Sequence, residues 1–399
     1  MTRITTDILI SGGGVAGLSA AAAFGSAGFS VLCVDPEAPI TNGNTDGADL
    51  RTTAFLQPSI PVLQDAGLWS RLKPYAAPLQ VMRIIDAGGA DPVPRIIKDF
   101  DASDISDQPF GWNLPNWLLR REMVARLAEL PNVRFRPGVA TARLLTRESE
   151  AQVTLSDGTR VTARMVIAAD GRSSTIRQAL GIGVRTTRYG QKALAFAATH
   201  PIAHQNVSTE IHRSGGPFTL VPLPDRDGRP CSAIVWMEAG PEALRLAALP
   251  EAEFDAAMTA RSCGILGPLT LASRRMVWPI ISQTAERMAG ERCALMAEAA
   301  HVLPPIGAQG LNMSLADLRV LLSLTRADPA GMGGSAMLDA YHNQRHWEVQ
   351  ARVTGIDALN RASMMGDPAL RDLRATALNA LYAVAPVRRT LMKAGLGVR

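Results

Sequence analysis

Gly12, Gly14 and Gly17 form a GxGxxG, completed as Gly12-Gly13-Gly14-Val15-Ala16-Gly17, and an acidic residue, Asp35, follows Gly17 by 18 positions. Each position has a mechanical use. Gly12 permits a tight turn, Gly14 lets a pyrophosphate approach the backbone, and Gly17 allows close packing of helix on strand. A carboxylate about this far downstream can accept hydrogen bonds from ribose hydroxyls. The chemistry implied is dinucleotide binding, and the motif does not separate NAD from FAD. Nothing in the sequence has the spacing of a Ser-His-Asp or paired-carboxylate centre, so no catalytic base is assigned. His342 and His346 are spaced i,i+4 with Glu348 nearby, but no third ligand is arranged with them, and no metal site is expected. His301 is read as a packed or hydrogen-bonded residue.

The glycine loop works only if particular elements hold it. Asp7-Ile8-Leu9-Ile10 reads as a short strand, Leu18 to Ala27 as an alanine-rich helix, and Ser30 to Val34 as a second strand ending at Asp35. The helix N-terminus then offers free N–H groups and a positive dipole end to phosphates. The 27 uncharged residues Ile8 to Val34 could suggest a membrane span or signal peptide, but Gly12 to Gly14 interrupt the run and no basic leader extends beyond Arg3. Strand, turn and buried helix explain it better.

The 399 residues suggest two or three domains with ample core. A 47% hydrophobic composition with no low-complexity tract excludes a mainly disordered chain. Cys33, Cys231, Cys263 and Cys293 form no CxxC pair, which argues against a disulfide scaffold or thiolate zinc site and for a cytoplasmic protein with reduced thiols. The formal charge of +5 lies wholly in the last sixty residues, where nine Arg and Lys face four acids. The rest of the chain balances. No nucleic-acid partner is expected.

Two later segments resolve the nucleotide question: Val166-Ile167-Ala168-Ala169-Asp170-Gly171-Arg172 with Ser173 to Arg177, and Leu295-Met296-Ala297-Glu298-Ala299-Ala300-His301 continuing through Pro304-Pro305-Ile306-Gly307-Ala308-Gln309-Gly310-Leu311-Asn312. With the glycine loop they resemble, in order and spacing, the three fingerprints of flavin-dependent aromatic hydroxylases, the group similar to para-hydroxybenzoate hydroxylase. Within that group the chain resembles the ubiquinone-biosynthesis hydroxylases through Leu50-Arg51-Thr52-Thr53-Ala54, Phe110-Gly111-Trp112-Asn113-Leu114-Pro115-Asn116, Gly216-Pro217-Phe218 and Val221-Pro222-Leu223-Pro224. The likeness runs from Asp7 to the carboxyl end. It departs at Ala297-Glu298, where the family usually has Gly-Asp, and at Ser314, where glycine is common.

The resemblance implies FAD as cofactor and NAD(P)H as transient electron donor. Arg51 is then expected near the flavin and substrate cavity. Arg120, opening a helix through Met123 and Leu127, is expected at the cofactor's diphosphate, a task that suits a planar, always-charged guanidinium. Asp170 is expected to serve the FAD and Glu298 its ribityl chain. Pro305 is placed beside the isoalloxazine, and the N–H groups of Gly310, Leu311 and Asn312 face the negative end of the reduced ring. The implied reaction is hydroxylation of a phenolic, polyprenylated ring in ubiquinone biosynthesis, with O₂ activated as a flavin C4a-hydroperoxide. Two alternatives stay open: a flavin reductase or dehydrogenase on an isoprenoid substrate, and an FAD-binding accessory subunit of a quinone-synthesis complex.

The expected fold class is α/β, mixed with α+β. A discontinuous Rossmann-like FAD-binding domain (1–70, 100–182 and 278–330) carries an inserted antiparallel-sheet substrate domain (71–99 and 183–277) and a C-terminal helical region (331–399). Strands are expected at Lys192 to Thr199, Val207 to His212, Phe218 to Pro222 and Ser232 to Met237, with a hairpin at Asp225-Arg226-Asp227-Gly228. Helical breaks are expected near Gly366-Asp367-Pro368 and at Pro386, and Gly331-Met332-Gly333-Gly334 is read as a loop. A polyprenyl substrate must come from a membrane, and anionic lipid attracts bases, so the basic tail is expected to make peripheral contact with the inner membrane.

Overall fold

The run Ile8–Val34 is uncharged because most of it is buried in protein. In the computed structural model, which describes residues 2–88, 93–213, 215–364, 372, 376 and 379–397, it forms the end of β1 (Arg3–Ser11), all of helix α1 (Val15–Ser26) and most of β2 (Val31–Asp35). Every α1 residue from Ala16 to Gly25 is buried, since the helix is packed between the sheet and the helices Asn116–Ala128 and Gln309–Ala327. A helix buried on all faces needs no polar stripe. Among the described residues, no helix is long and apolar enough to cross a membrane.

β1 is the centre of a largely parallel sheet. Its strands run in the order Ala289–Gly290, Cys293–Leu295, Arg160–Ala168, β1, β2 and Val133–Pro137, and only the first pair is antiparallel. Ala151–Leu155 and Thr141–Thr146 extend it antiparallel beside the first half of Arg160–Ala168.

A second, nine-stranded sheet is antiparallel except where Val207–His212 runs parallel to Val81–Asp86. Its central strands are Met276–Ala285, Val184–Thr199, Arg229–Ala239 and Pro217–Arg226. The hairpin turns at Asp227 and Gly228, both at positive φ. One face packs Leu194, Phe196, Phe218, Leu220, Ile234 and Trp236 under the helices Gly240–Ala248 and Glu251–Arg261. On the other face Ala193, Met237 and Ile280 meet Ile306, bringing the Pro304–Gly307 loop beneath the sheet. A three-stranded sheet (Thr52–Leu56, Gly111–Pro115 and Ala77–Leu79) joins the two, and Asn113 Nδ2 donates to the Pro222 carbonyl at 3.0 Å. The mixed α/β architecture is the class expected.

Several boundaries differ from those read in sequence. α1 begins at Val15 rather than Leu18 because Gly17 lies inside its first turn, kept there by packing and not by helix propensity. The helix carrying Arg120 begins at Asn116, since Pro115 is already extended at its N-cap and the chain turns into helix at once. Arg120 therefore lies one turn inside it. Met276–Ala285 runs across the expected boundary at 277/278, and Ile96–Asp101 across that at 99/100; both strands belong to the second sheet. Pro386 stands in the first turn of the helix Ala385–Leu396, where its missing N–H costs nothing. The stretch Gly366-Asp367-Pro368 lies outside the described residues.

Candidate active site

Four adjacent parallel strands end on the same side of the first sheet, and a residue singled out in sequence follows or closes each. β1 ends at Ser11 and leads into Gly12, and β2 ends on Asp35. Arg160–Ala168 leads to Asp170, and Cys293–Leu295 leads to Glu298. Register holds them level, with Ser11 opposite Val34 and Ala168, and Ala168 opposite Leu295. Ligands of open α/β sheets bind at this carboxyl edge.

The glycines divide by role. Gly12 has φ +110°, and a Cβ there would stand 2.2 Å from the Ala169 carbonyl oxygen. A Cβ on Gly17 would stand 1.9 Å from the Gly12 carbonyl oxygen. Both are glycines because the chain itself leaves no room. Gly14 is different: its φ of −69° suits any residue and a Cβ would meet nothing within 4 Å. The space it faces is open, at the start of α1. Val15 and Ala16 open that helix, so their N–H groups lack intrahelical acceptors. Asp35 Oδ2 accepts the Gly13 N–H at 2.5 Å and Oδ1 accepts that of Glu37 at 2.8 Å, leaving lone pairs on both oxygens for a ribose.

Asp170 Oδ2 accepts from Thr175 Oγ1 at 3.2 Å and the Ile176 N–H at 3.3 Å, whereas its buried Oδ1 has no partner among the described residues. The buried Nε of Arg120 is likewise unpartnered. Orphaned buried polar atoms call for an explanation. A donor facing a diphosphate and an acceptor facing hydroxyls would satisfy both, so the residues present fit a flavin dinucleotide.

Arg51 and Arg120 converge on Asp49, a residue the sequence did not single out. Arg51 is held in a fork, Nε to Oδ1 at 2.8 Å and Nη2 to Oδ2 at 2.7 Å, with its guanidinium 5.6 Å from the centroid of the Trp278 ring. Asp49's hydrogen bonds and charge, with a smaller contribution from Glu298, keep Arg51 above the usual guanidinium range despite burial.

Glu298 is exposed in a short turn, Ala297–Ala299. Ala297 has φ 54°, in the left-handed region that favours glycine. That geometry gives the physical reason for a glycine at this position, and this chain tolerates alanine with strain. Removing the side chain relieves about 1–2 kcal/mol of left-handed strain, offset in part by the freedom glycine adds to the unfolded chain. Ala297→Gly is therefore expected to stabilise the protein by about 0.5–1 kcal/mol, read by urea denaturation.

Beneath this turn lies a buried cluster that sequence reading also missed. Asp317 accepts from His301 Nε2 at 2.7 Å, from Arg345 Nε at 2.7 Å and from the Ala297 N–H at 3.4 Å. His301 is thus the hydrogen-bonded residue expected. Asp317 and Arg345 lie on different helices, 28 positions apart, and no local pattern marks the pair. His342 accepts the Met288 N–H at 3.2 Å, and its ring centroid lies 4.8 Å from that of His346 with the planes tilted by 46°.

Pro305 is exposed in the loop under the second sheet. The helix Gln309–Ala327 follows an Ala308 N-cap at φ 56° with no side-chain cap, so the N–H groups of Gly310 and Leu311 have no intrahelical acceptor, whereas Asn312 is the first residue positioned to reach back to the N-cap carbonyl. The Asn312 side chain is fully used. It donates to Ala54 O at 2.7 Å and accepts from the Leu56 N–H at 2.9 Å and Ser59 Oγ at 2.7 Å, tying the helix start to the strand after Arg51. Ser314 is accommodated by bonding back to the Gly310 carbonyl at 3.1 Å.

The sequence pattern of the family described as an FAD binding domain matches residues 5–355. The ubiquinone hydroxylase UbiL of Rhodospirillum rubrum is 32% identical over 397 residues, covering 98% of this chain and 89% of its own. The 3-demethoxyubiquinol 3-hydroxylase of Escherichia coli is 23% identical over 402 residues and covered, like this chain, to 100%. Among solved structures, p-nitrophenol 4-monooxygenase PnpA of Pseudomonas putida aligns with 100% of both chains at a TM-score of 0.79 and 20% identity, a likeness of fold alone. The chain belongs to the FAD binding domain family, and it is similar along nearly its whole length to a ubiquinone hydroxylase.

Proposed function

We propose that the protein is an FAD-dependent, NAD(P)H-using monooxygenase that hydroxylates a phenolic, polyprenylated ring in ubiquinone biosynthesis. The observation that carries this reading is the convergence of Gly12, Asp35, Asp170 and Glu298 at one carboxyl edge, under a sheet whose central strands Val184–Thr199 and Arg229–Ala239 turn small apolar residues to the facing side. Along Val184–Thr199 the residues Ala193, Ala195 and Ala197 alternate onto that side, paired in register with Met237, Val235 and Ala233. Small uncharged side chains leave room for a bulky neutral ring.

The bound flavin supplies the activation of O₂ once reduced. The chain's own residues hold and shield it. The glycine loop and Arg120 take the diphosphate, Asp35 the ribose and Glu298 the ribityl chain, while Asp170 supports the cofactor. Pro305 borders the ring, and the N–H groups of Gly310 to Asn312 face its negative end. Arg51 stands at the cavity, and the second sheet above it excludes water. The test is purification followed by FAD quantitation, NAD(P)H oxidation and product analysis with ubiquinone-precursor phenols. Protein without FAD, or oxidation that never yields a hydroxylated product, would defeat the reading. Lipid extraction from a deletion strain identifies the step by the intermediate that accumulates.

The second part of this reading is peripheral membrane contact. Of the nine tail bases, Arg345, Arg352, Arg361 and Arg388 are ion-paired with Asp317, Glu348, Asp357 and Asp104. Arg389 and Lys393 are exposed on Ala385–Leu396, which also exposes Val387 and Leu391, 39% and 47% accessible, on another face of the helix. Arg371, Arg374 and Arg399 lie outside the described residues. Deleting the whole helix would also strip Met392 and Leu396 from their core, so reversing charge is the cleaner test. Arg389→Glu with Lys393→Glu is expected to weaken binding to anionic vesicles by at least tenfold, since each base contributes about 1 kcal/mol near the surface. FAD content should be unchanged; equal vesicle binding by both proteins would refute the contact.

A further inference from the structure

Asp49 is 5% exposed and lies in the connection between β2 and the strand Thr52–Leu56, outside any motif read in the sequence. Its carboxylate gathers an unusual set of donors. Oδ1 takes the Arg51 backbone N–H at 3.2 Å and Arg51 Nε at 2.8 Å. Oδ2 takes Arg51 Nη2 at 2.7 Å, Asn116 Nδ2 at 3.1 Å and Arg120 Nη2 at 3.5 Å. Asn116 is itself fixed, because its Oδ1 accepts Thr53 Oγ1 at 2.8 Å.

One negative charge thus faces two guanidinium groups, and it treats them unequally. Arg51 has the short planar fork, the strong form of this interaction. Arg120 has one long contact, and its buried Nε has no acceptor. A half-buried guanidinium whose Nε is buried without an acceptor is held in place without being satisfied, and an incoming anion completes it. Burial pushes the Asp49 carboxyl up, but the hydrogen bonds and charge of Arg51, with Asn116 and Arg120, outweigh it and hold the group below the usual carboxylate range. It is ionised at neutral pH and its partners stay oriented.

We propose that Asp49 is a positioning residue for cofactor binding: by fixing Arg51 in its fork and restraining Arg120, it presents Arg120 with unused donors to the diphosphate of FAD. This rests on the reading above that FAD occupies the carboxyl edge of the first sheet. Asp49 touches no part of the cofactor; it acts through Arg120. Without its charge the Arg51 fork is lost, and the freed Arg51 and Arg120, both cationic and now unrestrained, repel one another.

A double-mutant cycle on the dissociation constant of FAD, followed by flavin fluorescence in the full-length protein, separates this role from loop anchoring. Asp49→Asn is expected to weaken FAD binding about tenfold, a loss in the range of coupled neighbours. Arg120→Met is expected to weaken it at least as much. The double variant should bind no worse than Arg120→Met alone, because the Asp49 effect passes through Arg120. The same cycle with ADP as competitor, which has the diphosphate but no flavin, should show the same non-additivity. Equal FAD affinity for wild type and Asp49→Asn overturns the assignment, as do losses that simply multiply, the result that loop anchoring gives. If Asp49→Asn fails to fold, Asp49→Glu keeps the charge while moving it by a methylene, and the cycle is read with that variant under the same criteria. Wild-type protein that takes up no FAD defeats the proposed function together with this inference; normal uptake by wild type and Asp49→Asn alike defeats the inference alone.

Discussion

Gly14→Val is expected to yield folded protein that has lost at least a hundredfold in FAD affinity, while Gly17→Ala is expected to lose stability. The two glycines are three residues apart in one motif, and the structure separates them. At Gly14 the backbone is ordinary and a side chain points into open space. Valine there costs about 1 kcal/mol of N-cap preference, a shift of a few degrees in melting temperature at most. Its side chain fills the approach to the first N–H groups of α1. Each charge-assisted hydrogen bond kept from the diphosphate is worth about 1.5–3 kcal/mol, so two of them account for the hundredfold loss. At Gly17 a methyl group would overlap the Gly12 carbonyl oxygen at 1.9 Å, backbone against backbone, with no flexible side chain to yield. Moving the helix away from the turn costs about 1–3 kcal/mol. Thermal melts and FAD titration on the pair decide the matter. An unfolded Gly14→Val, or a Gly17→Ala as stable as wild type, would contradict this division.

Arg345→Met is expected to lower stability by about 3–5 kcal/mol, because it leaves the buried Asp317 charge without one of its two close partners. Asp317 is 0% and Arg345 1% exposed, so water cannot replace the lost contact. The pH dependence follows from the same geometry. Burial pushes the Asp317 carboxyl up, but His301 and Arg345 outweigh it and hold the group below the usual carboxylate range. A depressed folded value means the stabilisation is complete above the unfolded value of about 4 and is lost as pH falls through the lower folded one. Without Arg345 the folded value rises, so acid loss begins at higher pH. Urea denaturation from pH 3 to 7 reads both effects. A wild-type-like profile in Arg345→Met would show that Asp317 is held by other means. Because Asp317 also accepts the Ala297 N–H, the variant should loosen the Glu298 turn and release FAD faster.

The elements nearest the glycine loop were legible in sequence because their rules are local. A strand that must be buried, a turn that must be glycine and a helix that must pack on both sides leave a pattern within thirty consecutive residues. The Asp-Gly segment and the Leu295–Asn312 segment were legible only by resemblance, since neither has a local pattern that dictates a ligand. Element ends were less so. The start of the Arg120 helix was set by Pro115 and by the burial of Asn116 and Leu119, which depend on contacts with distant parts of the chain.

What the sequence determined by itself was therefore the nucleotide-binding β1–α1–β2 unit, the α/β class, the hairpin at Asp227-Gly228 and the family. What tertiary structure alone decided was which charges meet. Asp49, paired locally with Arg51, reaches Arg120 across 71 positions, and Asp317 joins His301 on a strand to Arg345 on another helix. The excess of bases in the tail, conspicuous as a count, is partly spent in buried or surface pairs. The physical reason is that steric and periodic constraints act between neighbours in the chain, whereas a carboxylate chooses its cations by distance in space.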